Sequence, residues 1–237
     1  MRLFPQKGDV VSTPAAKLTQ SSAEAWLEAS GRVSVALALD ILDTKGLRRQ
    51  ALRPGIQART THKPLVGFAK TMLWVEFAHD DPATYDLELK AVDSLRPGEC
   101  VVCATGNSSR AGIWGELLTT AAMRRGAAGI VTDGAVRDIA QMEAMGFSVF
   151  SRSVSPYDSF NRQKVVAFDV RVEIDDVTIE PGDVIVADKD GVAVVPARLA
   201  DEVLAEALDK AGKEDQFRDA VRGGMPLLEA YERFNVL

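Results

Sequence analysis

The sequence predicts an α/β fold with a parallel βαβ core, and three observations carry that prediction. Cys100–Ala104 and Gly129–Thr132 are apolar runs short enough for buried strands. Between them lie a Gly-rich loop and a helical stretch, Glu116 to Arg125, with Leu117, Leu118, Ala121 and Ala122 on one face and Gly126 to close it. Strand, loop, helix, strand implies parallel neighbours and a right-handed crossover. Second, one turn chemistry leads into an apolar strand twice, as Arg96-Pro97-Gly98-Glu99 and as Glu180-Pro181-Gly182-Asp183. Proline fixes φ there and glycine supplies φ > 0. Third, alternation over Val165–Ile174 gives way to Val177-Thr178-Ile179, which adds antiparallel β structure ahead of a charged helical tail.

Residues 1–20 read as an irregular arm with Pro5, Gly8 and Pro14. Ser21-Ser22-Ala23-Glu24 caps a short helix ending at Gly31. Val33 to Leu42 is apolar with Asp40 inside it, and its length fits a buried helix better than a strand. Arg53-Pro54-Gly55-Ile56 is a turn, Leu65 to Phe77 a strand, and Tyr85 to Leu95 an amphipathic helix with Leu87, Val92 and Leu95 apolar. Ile139 to Met145 continues as a helix that Gly146 ends, and Ser148-Val149-Phe150 is a short strand. Ser151 to Lys164 is a polar loop carrying Arg152, Tyr157, Asp158 and Arg162. Loops of that length are often functional, and a solvated surface loop reads the same way. Asp188-Lys189-Asp190-Gly191 makes a hairpin turn, and Ala197–Arg222 and Pro226–Phe234 are helices. One domain accommodates all of this: an arm over 1–20, an α/β core over 21–196 and a helical tail over 197–237.

The apolar share of 46% and charged share of 26% are those of an ordinary globular chain. A net charge of −6 argues against nucleic acid as partner, which needs a basic face. No apolar run approaches a membrane span, and Met1 to Gly8 lacks the apolar region of a signal peptide, so the expected location is the cytoplasm. Cys100 and Cys103 have the C-x-x-C spacing of a redox motif. Their run is strand-like, however, and positions i and i+3 of a strand face opposite sides. They are therefore read as buried structural residues, in keeping with a reducing compartment.

The candidate site lies where the loops Gly106–Gly115 and Asp133–Asp138 leave the carboxyl ends of the two predicted strands, the place where open α/β sheets bind ligands. Glu116 sits in the first turn of one helix, and Arg137 and Asp138 at the start of the next. Carboxylates suit Mg²⁺, a guanidinium suits a bidentate grip on a carboxylate, and the amides near Leu117 and Leu118 suit an anion. An acid in a first turn is also an ordinary helix-dipole partner, and an Arg-Asp pair an ordinary surface ion pair. Spacing alone leaves both readings open.

Gly115-Glu116-Leu117-Leu118, then 20 residues between Glu116 and Arg137, then Arg137-Asp138, resembles the acidic-x20-Arg-Asp signature of one family. That family holds the class II pyruvate aldolases (4-hydroxy-4-methyl-2-oxoglutarate aldolase) and the regulators of ribonuclease E activity. Gly126 to Asp138 and Pro181 to Pro196 are similar to its other blocks, and the likeness runs with gaps from about Ser34 to the C-terminus. The resemblance implies a layered β/β/α swivelling-domain fold in a homotrimer or hexamer, and no membrane partner. It implies a Mg²⁺- or Mn²⁺-dependent lyase that cleaves a 2-oxo acid to release pyruvate, by retro-aldol reaction or by decarboxylation of oxaloacetate. In that scheme Asp138 holds the metal and Glu116 its waters. Arg137 grips the substrate with the help of Gly115, Leu117 and Leu118. Glu214, on a tail packed against a neighbouring subunit, is the best match for a further acid that orders metal-bound water. No side chain presents itself as the base, which leaves a metal-bound water as the candidate. One departure stands out: Val35-Ala36-Leu37-Ala38-Leu39 carries Leu37 where the family has an acid.

Two rival readings accompany the lyase. One is a non-catalytic binding protein that regulates a ribonuclease through its surface. The other is a relative in which Leu37 and altered loops have abolished turnover. His62 and His79 have no partner at zinc spacing; His79 precedes Asp80-Asp81 and is the one placed to approach a site. The chain contains no Gly-x-Ser-x-Gly elbow, Walker loop or dinucleotide fingerprint.

Overall fold

The computed structural model describes residues 19–60 and 64–236. In chain order the elements are α1 (Gln20–Glu28), α2 (Val35–Thr44), β1 (Gln57–Ala58), β2 (Leu65–Glu76), α3 (Asp86–Asp93), β3 (Glu99–Ala104), α4 (Glu116–Arg124), β4 (Gly129–Val136) and α5 (Ile139–Ala144). There follow β5 (Ser148–Val154), β6 (Gln163–Phe168), β7 (Val172–Ile174), β8 (Val177–Ile179), β9 (Val184–Asp188), β10 (Gly191–Val195), α6 (Ala200–Arg222) and α7 (Leu227–Phe234).

One sheet runs in the order β1-β5-β4-β3-β2-β9-β10, with β6 paired to the far end of β2. β2, β3, β4 and β5 are mutually parallel, with α3, α4 and α5 as crossovers. β9 and β6 divide the other edge of β2 between them, antiparallel at Leu65–Phe68 and at Met72–Glu76. Parallel strands buried on both faces favour apolar residues at successive positions, which is why Cys100–Ala104 of β3 and Ile130–Val131 of β4 are apolar, with Thr132 and Asp133 the buried polar exceptions in β4.

Three apolar clusters make the layers. Val101, Cys103, Ile130 and Val149 point beneath α3, α4 and α5. Cys100, Val102, Val131 and Phe150 point to the opposite face, where the β7–β8 hairpin packs with Ile174 and Ile179. α1, α2 and α6 cover Val66, Val184, Val186, Ala193 and Val195. Trp26 is fully buried in that third cluster and donates its indole N–H to the Ala200 carbonyl at 3.2 Å. This is the expected α/β architecture of layered sheet and helices with C-terminal helices. Both cysteines are free and buried on opposite faces of β3, as strand geometry requires.

Several local expectations change. Residues 1–18 of the arm and His62 lie outside the described residues. α1 starts two residues earlier than the expected capping box implies, because Thr19 rather than Ser21 caps it by accepting from the Ser22 amide. α2 begins two residues later than its apolar run, at the Ser34 cap. Residues 133–136 are not a loop: β4 continues to Val136 across a register shift between Thr132 and Ala135. Likewise β5 takes up residues 151–154 of the expected 151–164 loop, and only 155–162 bridge to β6. Asp133-Gly134 and Ser151-Arg152-Ser153 interrupt the apolar runs, so the pattern no longer marks a strand there.

Candidate active site

The expected crevice forms at the carboxyl ends of β3 and β4. Buried Asp133 ties the strand ends together beside it. Its carboxylate accepts from the Thr105 amide at 2.7 Å, the Thr105 hydroxyl at 2.8 Å and the Asn107 amide at 2.8 Å, pinning the loop after β3 to β4. Residues 112–115 then run along the end of β4: the Ile113 amide donates to the Ala135 carbonyl and the Arg137 amide to the Trp114 carbonyl. Two glycines allow this approach. A Cβ on Gly112 would meet the Ser155 carbonyl and Arg137, and one on Gly115 would overlap Asp138 Oδ2. The Trp114 indole donates to the Thr119 hydroxyl at 2.8 Å and holds the first turn of α4 in place.

Arg137 and Asp138 sit at the junction of β4 and α5, with Asp138 in the left-handed region at φ 57°. Asp138 Oδ2 accepts from the Glu116 amide at 3.2 Å and lies 3.8 Å from Arg137 Nε. The structure thus brings Gly115, Arg137, Asp138 and the start of α4 together. Thr119 is the first residue of α4 to close onto the helix, on the Gly115 carbonyl, so the amides of Leu117 and Leu118 precede the helical ladder. The Glu116 carboxylate is turned to its own helix, accepting from Thr120 at 2.9 Å. Glu214 is not part of this crevice within one chain; it lies on α6, 3.9 Å from Lys210. Leu37 is buried on α2 and His79 stacks edge-on against Phe77, neither lining the crevice.

The crevice holds about 310 Å³ and has a wall that sequence reasoning missed. Tyr85, Glu88 and Leu89 line it from α3 and its N-cap, and Asp158 and Ser159 from the 155–162 segment. Asp158 joins the walls: it pairs with Arg137 Nη2 at 2.7 Å and accepts from the Tyr85 hydroxyl and the Phe160 amide. Burial pushes the Asp158 carboxyl up, but these three donors outweigh it and hold the group below its ordinary range. Burial, then the bond to Asp158, drives the Tyr85 phenol up. Glu88 is 3% exposed, and burial followed by the nearby Asp158 charge pushes its carboxyl up to about 8. A signal for Glu88 exists in the sequence. Glu88, Ala91, Val92 and Leu95 form an i, i+3, i+4, i+7 stripe, so a carboxylate occupies a position the pattern assigns to the core.

Among the described residues no group of three or more His, Cys, Asp or Glu side chains is gathered closely enough to hold a metal. Mg²⁺ asks for less, since it keeps several waters and takes one or two carboxylates together with substrate oxygens. The Asp138 carboxylate, 38% exposed beside the crevice, meets that smaller requirement, with Glu116 on the adjoining turn.

A family model described as RraA-like, Aldolase/RraA, matches residues 35–194. The chain belongs to the RraA-like family. A family relative in Halalkalibacterium halodurans, named "Putative 4-hydroxy-4-methyl-2-oxoglutarate aldolase", is 34% identical over 144 residues, which are 60% of this chain and 68% of that protein. Protein DlpA of Legionella pneumophila is 29% identical over 143 residues, but these are only 23% of its length. Among solved structures, a Streptomyces coelicolor protein described as an unusual member of the RNase ES inhibitor RraA family superposes with a TM-score of 0.75 at 30% identity. That match covers 86% of this chain and 99% of the other. Names in the RraA-like family thus include both aldolases and ribonuclease inhibitors. No helix among the described residues is long and apolar enough to cross a membrane.

Proposed function

We propose that this RraA-like protein is a divalent-metal-dependent lyase that cleaves a 2-oxo acid and releases pyruvate. The observation that carries the reading is the convergence of Arg137, Asp138 and the first-turn amides of α4 on one crevice. Arg137 and the Leu117 and Leu118 amides bind the substrate carboxylate, a planar fork and two oriented donors suited to it. Asp138, oriented by the Glu116 amide, would hold Mg²⁺ or Mn²⁺, and Glu116 on the adjoining turn would assist it. Bound there, the metal supplies Lewis-acid stabilisation of negative charge developing on the keto oxygen as the C–C bond breaks. Trp114 and the α3 wall exclude water from one side of the reacting carbons. In a ring of subunits, a trimer or hexamer, Glu214 acts across the boundary from the next copy.

A second reading has its own support: a regulator that binds a ribonuclease through its surface. The solved relative described as a ribonuclease inhibitor matches over nearly its whole length, and no three-ligand cluster is present among the described residues. The relatives weigh toward this reading more than toward any particular lyase chemistry, and the crevice weighs the other way.

One assay separates them. The purified oligomer is tested for pyruvate release from oxaloacetate, 4-hydroxy-4-methyl-2-oxoglutarate and 4-hydroxy-2-oxopentanoate, with chelator and after Mg²⁺ or Mn²⁺ is restored. The lyase reading requires metal-restored release from at least one compound above the metal-only background, and inhibition by oxalate. Folded protein that releases none, and that binds no oxalate in the presence of metal, leaves the regulator as the function.

A further inference from the structure

The crevice has two unlike ends. One presents Arg137, Asp138 and the α4 amides. The other is the α3 wall with Tyr85 and Glu88, together with Asp158. We propose that Glu88 is a ligand-contacting residue that selects substrates whose far end is uncharged and hydroxyl-bearing, in preference to those ending in a second carboxylate. The inference rests on the 2-oxo acid reading and names the half of the substrate that reading leaves open.

Three observations carry it. Glu88 lines the crevice yet is 3% exposed, and its Oε2 has no hydrogen-bond partner among the described residues. Buried polar oxygens are rarely left unpartnered, and one beside a cavity points to a ligand that completes it. Next, Arg137 is the one cation lining the crevice among the described residues, against the carboxyls of Glu88, Asp138 and Asp158. Its Nη2 already pairs with Asp158, so among the described residues of one chain no cation is left at the α3 end for a second substrate carboxylate. Third, Tyr85 donates to Asp158, which leaves its phenol oxygen to accept from a ligand. Burial keeps Glu88 largely protonated at neutral pH, so its carboxyl offers both a donor and an acceptor to a hydroxyl group. A carboxylate in the same place would meet the fixed charge of Asp158 without compensation.

The test uses 2-oxo acids that lack a 4-hydroxyl and so cannot undergo retro-aldol cleavage. Pyruvate, 5-hydroxy-2-oxopentanoate and 2-oxoglutarate are titrated by calorimetry into the Mg²⁺-loaded oligomer of wild type, Glu88→Gln and Glu88→Leu. Wild type binds the hydroxy compound tighter than 2-oxoglutarate by roughly tenfold, the difference one buried hydrogen bond and an uncompensated charge make. Glu88→Gln, uncharged and able to hydrogen-bond, retains the preference. Glu88→Leu loses affinity for the hydroxy compound and keeps that for pyruvate. Equal or tighter binding of 2-oxoglutarate by wild type overturns the inference, as does an unchanged preference in Glu88→Leu, while pyruvate binding keeps the underlying reading intact. Absence of pyruvate binding to wild type removes both. If Glu88→Leu does not fold, the wild-type preference decides alone.

Discussion

Burial raises the Glu88 carboxyl from an ordinary 4.5 to about 8, so between those values the folded chain holds a proton there that the unfolded chain has lost. Stability supplied by that proton is present at low pH and drains away as pH rises toward 8, by on the order of 4 kcal/mol across the window. Urea denaturation of wild type and Glu88→Gln at pH 5, 6.5 and 8 checks this. The wild type should weaken relative to the mutant as pH rises, and parallel curves would show that Glu88 titrates normally. Two further side chains test the proposed chemistry. Asp138→Asn should weaken Mg²⁺ binding and cut pyruvate release by orders of magnitude with the fold intact; unchanged turnover at limiting Mg²⁺ removes Asp138 from the site. Arg137→Lys should not rescue function, because a point charge cannot replace the planar fork that also spans Asp158. The expected loss in kcat/KM corresponds to roughly 2–4 kcal/mol, and wild-type kinetics would refute the clamp.

The loop over residues 112–115 approaches β4 so closely that Gly115 has no room for a side chain: a Cβ there would overlap Asp138 Oδ2 and sit 3.2 Å from Arg137 Cγ. Gly115→Ala should displace the Asp138 carboxylate and impair metal binding far more than stability, the latter by about 1–3 kcal/mol as for other overpacked sites. Metal titration beside thermal melting distinguishes the two effects. α2 offers a contrast, for its Ser34 cap accepts from the Leu37 amide at 3.2 Å far from the crevice. Ser34→Ala should cost about 1 kcal/mol in thermal or urea unfolding and leave ligand binding unchanged. The βαβ unit and the Arg137-Asp138 pair were legible because strand runs, a helix stripe and a turn all lie within a few dozen consecutive residues. The α3 wall was not. Glu88 and Asp158 are distant in sequence, and only the packing of α3 against β6 and α4 sets them facing Arg137. The ends of β4 and β5 escaped for a different reason, since Asp133-Gly134 and Ser151-Arg152-Ser153 carry turn-forming and polar residues that interrupt the apolar pattern of a strand.

Across the whole molecule, long-range pairing dominates. β2 is bonded to β3 on one edge, and on the other to β9 and β6, strands from the last third of the chain. α1, α2 and α6 likewise share one cluster although their sequences lie at opposite ends. Fold class could be predicted from local patterns, but this closure could not, because period and turn chemistry say nothing about which edge of a strand a distant hairpin will take. Many of the charged side chains are taken up in pairs at the surface, such as Lys45 with Glu202 and Glu206, and Lys210 with Asp40. Such exposed pairs contribute little to stability and are screened by salt. Added salt should therefore leave the melting temperature nearly unmoved, and a large salt-induced drop would contradict that picture.

The divided edge of β2 also governs the order in which the chain can be made. As synthesis proceeds from the N-terminus, residues 65–154 emerge with β2 to β5 complete, while the Leu65–Phe68 edge waits for Val184–Ala187. For that interval a nascent chain carries an apolar strand with an unsatisfied backbone edge, open to the same strand on a neighbouring polysome-bound copy. A chain cut short before Val184 would keep this bare edge permanently and be a target for chaperones and proteases. Pairing of that edge thus has to await translation of β9, beyond the second Pro-Gly turn, Glu180-Pro181-Gly182-Asp183. Stalling of ribosomes upstream of that turn should therefore harm yield more than stalling beyond Val195, where every strand of the sheet has been made.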